Sequence, residues 1–413
     1  MKKITAKIVA DDLGYSSVKA DIDGEQIKQP SLVAKVRREG LEPVDHEDEA
    51  LVKSTVDNLF NRLDVSIDSD ALNSPQRYLV GNAAQNSSLH KEGLKPQLTN
   101  HHKSQTDLAI ILPLTFIAAK TVKEAYENGE DIFQKDLSAD VIMATALPIN
   151  EASEKGTREK YSERFTKGKH IVNFRTFDSI VSVKINFVDV NVRKEGEIAI
   201  GVAIPFGPKE LREAIKRDVK KFNPDRYASL DELIKSAKDI MGIDIGSGTA
   251  DMPLITAGAA DLNHSYSLTK GYGDVLNDAF HIFNQIPDTI AANDIIEFQD
   301  ILNDEPLTPA AQDRQEKAKQ AVNDATPSLI DNIRDYLADA LNANRRVKIL
   351  YIFGGGSIPL MENTNFREEL QDALNDLGSS ALIIWVGKDY AQSLNEIGLD
   401  IYAQALAKEY AKK

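Results

Sequence analysis

The chain has 413 residues, 42% of them hydrophobic and 27% charged, which are ordinary proportions for a folded globular protein and enough length for two or three domains or two large lobes. A formal net charge of −15 works against direct, non-specific binding to a phosphate backbone, since that affinity draws on clustered Lys and Arg, so a role on nucleic acid is expected to run through an adaptor. The absence of cysteine excludes disulfides, thiol catalysis and Cys-ligated zinc, and fits a reducing, cytoplasmic setting.

The opening MKKITAKIVADD lacks the apolar h-region of a signal peptide. Short β-branched runs follow, broken at Asp-Leu-Gly and at Asp23-Gly24, and predict a β-meander with a tight turn at Asp23-Gly24. Residues 37–73 are charged and poor in strand formers apart from the amphipathic LVKSTVDNLFNRL, which reads as a peripheral insertion. RYLVGNAAQN predicts a strand and a turn. The longest apolar run, LAIILPLTFIAA at 108–119, is too short to cross a bilayer and predicts a buried helix over 108–127, so no membrane partner is expected. A strand ADVIMATALPIN and a polar helix EKGTREKYSERF come next.

At about residue 166 the strand-type pattern restarts with HIVNFRTF, IVSVKINFVDVNVR and EIAIGVAI, which suggests a second lobe. SLDELIKSAKDI carries a capping-box pattern, Ser229 facing Glu232. Helical tracts at 308–324 and 328–341, the strand RRVKILYIFGGG, a helix near FREELQDALNDLG, the strand SALIIWVG and a C-terminal helix complete the chain. Alternating strands and helices after a strand-rich start to each half predict an α/β protein in two lobes.

Each half holds one acid–glycine turn, DLGYSSVK at 12–19 and DIGSGTAD at 244–251. Glycine-rich turns let backbone N–H groups converge on an anion, yet a carboxylate alongside repels bare phosphate. A divalent ion between them removes that conflict, because Mg²⁺ keeps several waters and is held by one or two carboxylates plus substrate phosphates. Asp12 and Asp244 are the candidates for that role; an ordinary hairpin with a solvated Asp is the alternative for either turn alone. No Gly-Lys-Ser/Thr tract of a P-loop occurs, and Asp251 stands where a dinucleotide fingerprint needs a third small residue.

Three further sites follow. In YIFGGGSIP, Gly354, Gly355 and Gly356 would let a flat ligand such as a purine lie against backbone, with Ser357 capping the next helix; a flexible turn is the alternative. In ALPINE, Glu151 at a strand end could orient an attacking water, or it could be an acid favoured by a helix dipole. In KGYGDVLNDAF, Gly271 and Gly273 precede a helix whose Asp274, Asn277 and Asp278 could reach a ribose hydroxyl, though an exposed helix start explains them equally well.

Taken in order, DLGYSSVK, ALPINE, DIGSGTAD, YIFGGGSIP and LNEIGLDIYAQAL resemble the phosphate 1, connect 1, phosphate 2, adenosine and connect 2 motifs of the actin, sugar-kinase and heat-shock-chaperone superfamily. Within it the chain is most similar to the plasmid-segregating bacterial actin-like proteins of the ParM type, with LPINE matching that family's Leu-Pro and following Glu, and GGGSIPL its Gly-Gly-Gly-Ala-Pro-Leu. The resemblance implies an actin-like (ribonuclease H-like) two-lobed fold, each lobe a five-stranded mixed sheet with flanking helices, and a nucleotide cleft between them. The first lobe is expected over 1–165 with a peripheral insertion at about 37–105, the second over 166–393, and a C-terminal helix at 394–413 returning to the first.

It further implies ATP or GTP with Mg²⁺ as cofactors and ATPase activity, with Glu151 and Asp244 catalytic and Asp12 and Asp244 flanking the metal. The nucleotide contacts would come from Asp12, Gly14, Tyr15, Ser16, Ser17 and Lys19, from Gly246, Ser247, Gly248, Thr249 and Asp251, from Gly273 and Asn277, and from Gly354 to Ser357. The implied partners are further copies of the chain in a filament that grows with nucleotide and shrinks after hydrolysis, and a DNA-binding adaptor at a centromere-like plasmid site. A small-molecule kinase on the same fold and a non-catalytic nucleotide-binding scaffold are the competing readings.

Overall fold

The computed structural model describes residues 6–412 except 38–39, 74, 95–101 and 262. Two compact units divide the chain, the first formed by Met1–Lys194 with Asn395–Lys413 and the second by Glu195–Leu394. The boundary falls after Lys194, not at 166, because the two strands taken as the restart of a second lobe pair within the first unit's sheet.

The first unit's strands are β1 (Lys7–Leu13), β2 (Ser17–Ile22), β3 (Glu25–Pro30), β4 (Leu32–Lys35), β5 (Asp64–Ser69), β6 (Gln76–Val80), β7 (Lys91–Gly93), β8 (Leu137–Leu147), β9 (His170–Phe174) and β10 (Val181–Lys194). They form one sheet in the order β3-β2-β1-β8-β10-β9-β5-β6-β4-β7. Its first five positions are an antiparallel meander followed by two parallel strands, β8 and β10. The expected five-stranded sheet is therefore present as one half of a ten-stranded one. Asp23 and Gly24 have φ of 53° and 84° and join β2 to β3 across the Ile22↔Glu25 pair, the left-handed turn conformation that Asp-Gly favours.

The core of this unit forms around the helix Leu108–Glu127, whose first half is buried on every side. A helix apolar all round has no solvent face, so it belongs inside the fold. Residues 37–105 are less peripheral than their composition suggests: β5 lies between β9 and β6, and Asp64 at its start is fully buried. The Asp64 carboxylate takes both Arg77 Nε and Nη2 at 2.7 Å and the Leu41 amide at 2.9 Å.

The second unit holds β11 (Ile240–Ile245), β12 (Ala250–Met252), β13 (Leu254–Thr256), β14 (Ala259–Ala260), β15 (Tyr266–Leu268), β16 (Ile349–Phe353) and β17 (Leu382–Trp385). β11 pairs antiparallel with β12 at its tip and with β13 at its base. Pro253, which has no N–H to donate, separates the two pieces. β14 and β15 occupy the next position, and β16 and β17 continue parallel on the other side of β11. Counted by position, the plan repeats the first half of the other unit's sheet: a three-position meander, then two parallel strands.

Several sequence expectations change here. EIAIGVAI forms helical turns, Ala199–Ala203 and Ile204–Phe206, with Ala199, Ile200, Ala203 and Ile204 buried, a spacing that fits one helix face and not the alternation of a strand. The two helical tracts after 308 are one helix, Pro309–Ala343, continuous through Pro327. Ser229 makes no capping bond; its hydroxyl donates instead to the Arg226 carbonyl at 3.3 Å.

Candidate functional site

In the first unit the turn after β1 is built around Gly14. Its amide donates to the Asp12 carbonyl at 3.0 Å, its carbonyl accepts from Ser31 Oγ at 2.5 Å, and an added Cβ would lie 2.7 Å from the Ser17 carbonyl oxygen. That Gly14 amide thus closes the turn and is not aimed at a ligand. Ser31, which sequence reading did not single out, also donates its amide to the Ser16 carbonyl at 3.1 Å.

Asp12 and Lys19 are cross-strand partners on β1 and β2, so their side chains share a face, with Lys19 Nζ 3.4 Å from Asp12 Oδ2. The C-terminal helix Leu394–Tyr410 adds Glu396, which is buried. Burial first, then Asp21, Asp12 and Asp400, push the Glu396 carboxyl up to about 7, and Lys19 opposes them. A glutamate facing the turn from the last helix was not foreseen; its only signal in sequence is that it is one of two acids in LNEIGLDIYAQAL.

Asp11 points to the other face of β1, beside its register partner Thr145 on β8. Thr145 Oγ1 donates to Asp11 Oδ2 at 3.2 Å, while Oδ1 is buried without a hydrogen-bond partner. Desolvation raises this carboxyl to about 7, with Asp12 adding to the rise and Lys103 opposing it.

Glu151 lies in the first turn of the short helix Ile149–Ser153 that follows β8. Its two oxygens accept from consecutive backbone amides, Lys103 N at 2.9 Å and Ser104 N at 2.7 Å. Lys103 is itself buried, and its ammonium donates to the Leu13 carbonyl at 2.6 Å and lies 4.9 Å from the centre of the Tyr15 ring. The first unit therefore brings Asp12, Gly14, Tyr15, Lys19 and Glu151 into one neighbourhood. It adds Lys103 and Ser104, from a stretch whose composition suggests only an insertion.

In the second unit three glycine segments meet at the tip of β11. The Gly246 amide donates to the Thr249 carbonyl at 2.8 Å and closes the turn, so it too is directed inward. Tyr272 N and Gly273 N donate to the carbonyls of Gly246 and Ser247 at 3.0 and 2.7 Å, seating the start of the helix Tyr272–Phe283 on the turn. Gly271 must lack a side chain, since a Cβ would stand 2.6 Å from the Gly246 oxygen. The Asp274 carboxylate accepts from Gly271 N at 2.8 Å, which makes Asp274 a helix-start residue. Asn277 is exposed one turn further along. Asp251 is buried opposite Asp244 in the β11–β12 pair, with Thr249 Oγ1 3.4 Å from its Oδ2.

The triple glycine serves a different purpose from the expected one at two of its three positions. Gly354 has φ of 86°, and a Cβ there would lie 2.4 Å from both Asp244 Oδ1 and the Ile245 carbonyl oxygen. At Gly356 a Cβ would meet Tyr272 Cβ at 2.6 Å. These two glycines let the protein pack on itself, whereas at Gly355 a Cβ would meet only the Gln392 side chain, at 3.4 Å. Ser357 is no cap: it is the buried first residue of the helix Ser357–Asn363, its hydroxyl donating to the Gly354 carbonyl at 2.7 Å and accepting from Trp385 Nε1 at 3.2 Å.

Away from both turns, Asp45, His46 and Asp178 are the one group among the described residues whose ligand atoms lie within 4.8 Å of one another, on a largely exposed patch. No described helix is long and apolar enough to cross a membrane.

Two units, each a three-position meander with two parallel strands and an acid–glycine turn at the tip of its central strand, define an actin-like fold. A family model described as the actin-like proteins N-terminal domain matches residues 10–197. The solved structure of the actin-like protein Alp7A is similar over 98% of this chain and 97% of its own, with 20% identity and a TM-score of 0.63. Bacillus thuringiensis ParM with ATP is similar over 98% and 99%, with 15% identity and a TM-score of 0.55. Ta0583, an archaeal actin homolog in complex with ADP, is similar over 96% and 99%, with 17% identity and a TM-score of 0.55. Curated protein sequences give no match. The chain has an actin-like fold, similar to that of ParM, and its residues 10–197 match the actin-like proteins N-terminal domain.

Proposed function

We propose that this chain is a filament-forming actin-like ATPase that segregates plasmid DNA. It polymerises with ATP or GTP and Mg²⁺, depolymerises after hydrolysis, and meets its cargo through a DNA-binding adaptor on a centromere-like plasmid site in the cytoplasm. The observation that carries this reading is the repeated acid–glycine turn at the tips of β1 and β11 in an actin-like fold. ParM and the archaeal homolog, whose structures hold ATP and ADP, support it by likeness.

The residues present fit a nucleotide with its metal. Asp12 and Asp244 are hard oxygen donors of the kind Mg²⁺ takes alongside phosphate oxygens, and Lys19 places a cation beside the first turn. The close-packed glycines at 271, 354 and 356 fix the second turn so that its carboxylate is held in place before ligand arrives. Bound Mg²⁺ supplies charge neutralisation on the phosphates. Glu151 would accept a hydrogen bond from the attacking water, and Gly355, the open position of the triple glycine, would lie against the base.

The test is right-angle light scattering of the protein with Mg²⁺ before and after ATP, with phosphate release followed in the same sample. A rise that decays as phosphate appears is the expected result. Phosphate release with no rise would overturn the filament, and neither signal would overturn the ATPase.

A further inference from the structure

We propose that Lys103 is a positioning residue for Glu151: its buried ammonium ties the phosphate turn after β1 to the two amides that hold the Glu151 carboxylate. The inference rests on the reading above, in which Glu151 orients the attacking water.

The clamp on Glu151 is bidentate, with Lys103 N and Ser104 N each holding one oxygen. A carboxylate offers about four lone-pair directions, so two taken by amides fix its plane and leave others for water. The orientation of the clamp is then set by whatever anchors residues 103–106. Arg164 Nη1 donates to the carbonyls of Ser104 and Thr106 at 2.5 and 2.8 Å, and Thr106 Oγ1 donates to the Lys103 carbonyl at 2.8 Å. These bonds tie the segment to the helix Thr157–Thr166 and to itself.

The bond from Lys103 Nζ to the Leu13 carbonyl runs the other way, to the residue just before Gly14. A buried lysine is an expensive tether for a surface loop, because the charge must be desolvated. It is a reasonable one for a group whose placement decides a rate, since misplacement of a reacting group by about 1 Å can lower a rate on the order of 100-fold.

In hydrolysis a bond forms from the water oxygen to the terminal phosphorus, and the bond from that phosphorus to the bridging oxygen breaks, leaving its electron pair on the diphosphate. The water's proton leaves to solvent by way of the carboxylate. In this proposal Lys103 acts on none of these atoms directly; it sets where the carboxylate stands.

The experiment measures steady-state phosphate release, nucleotide affinity and melting temperature for the full chain and for Lys103→Met, Lys103→Arg, Glu151→Gln and the Lys103→Met/Glu151→Gln double variant. K103M is expected to lower kcat at least about tenfold with KM within about twofold of wild type, K103R to recover most of the loss, and the double variant to be no slower than E151Q. If K103M does not fold, Lys103→Gln, which keeps a polar end but loses the charge and reach, is expected to show the same loss. A K103M rate at or above wild type, or a double variant slower than E151Q by the full K103M factor, overturns the proposal. The reading it rests on fails separately, if wild type releases no phosphate or if E151Q equals wild type.

Discussion

The hydroxyl of Tyr161 donates a 3.1 Å hydrogen bond to the carbonyl of Ala109. Ala109 is four residues before Pro113, inside the helix Leu108–Glu127, so its carbonyl is the one that Pro113 cannot serve with an N–H. The first half of this helix, buried on every side, has no water to fill that vacancy, and an orphaned buried carbonyl is costly. Tyr161, fully buried on the helix Thr157–Thr166, is the donor that makes the proline tolerable. Tyr161→Phe should therefore destabilise the protein by about 1–3 kcal/mol. The measurement is a denaturation cycle with Pro113→Ala, which restores a helical donor. In the P113A background the loss from Y161F should shrink to below about 1 kcal/mol, and an unchanged loss would sink the explanation.

The glycine triplet makes a second prediction. Gly354→Ala puts a side chain into a left-handed backbone and within 2.4 Å of Asp244 Oδ1, with the Ile245 backbone equally close. The Ile245 backbone cannot yield without moving β11, so the change should cost on the order of 2–4 kcal/mol and, on the proposed function, weaken nucleotide binding as well. Gly355→Ala meets only the Gln392 side chain and should leave stability within about 0.5 kcal/mol. If Gly355 is the position that lies against the base, G355A will weaken nucleotide affinity alone. Equal stability losses for the two variants would contradict this division.

How much of this was legible beforehand follows from what each residue depends on. The acid–glycine turns at 12–19 and 244–251 were readable because a steric requirement writes glycine into the sequence itself. The helix 108–127 was readable because burial of its first half on all sides leaves no polar stripe there. β5 was not: DVSIDS carries two acids and a serine pair, and it is a strand because β9 and β6 supply its hydrogen bonds on both sides. The glycines at 354 and 356 were noticed for the right reason, close approach, but the approaching surface is the protein's own. Lys103 is invisible in sequence, since a lone lysine in a polar stretch acquires a role only when folding sets it against Leu13.

Asp64 supplies a third prediction. Its fully buried carboxylate holds Arg77 through two bonds and the Leu41 amide through one, so it joins β5 to β6 and to the chain after β4. Asp64→Ala removes the acceptor of all three while leaving Arg77 partly able to reach solvent. A loss of about 2–4 kcal/mol is expected, read as a shift in the denaturation midpoint with little change in slope. Arg77→Ala should be no milder, because it strands a buried carboxylate; a clearly milder R77A would show that the Leu41 amide, not the ion pair, is what Asp64 is there for.

Glu396 supplies a dependence on pH whose direction can be worked out. Burial, then Asp21, Asp12 and Asp400, raise its folded-state pKa to about 7, above the 4.5 of an ordinary glutamate. Between those values the folded chain keeps a proton that the unfolded chain has released, so stability falls as pH rises from about 4.5 to about 7 and stays lowered above. Below about 4.5 both states are protonated and the group is neutral in effect. Asp12, Asp21 and Asp400 lie in the same neighbourhood and Lys19 opposes them, so the charge around Glu396 is that of a cluster, but the slope between pH 5 and 7 should flatten on replacing this one residue. Glu396→Gln is expected to melt higher than wild type at pH 8, with the gap closing as pH falls toward 4.5, at about 1.4 kcal/mol for each unit of pKa displacement removed. The check is a series of melting curves from pH 5 to 8 for both proteins. Parallel curves would mean that Glu396 ionises freely in the folded state and that its contact with the acidic face beside Asp12 carries no strain.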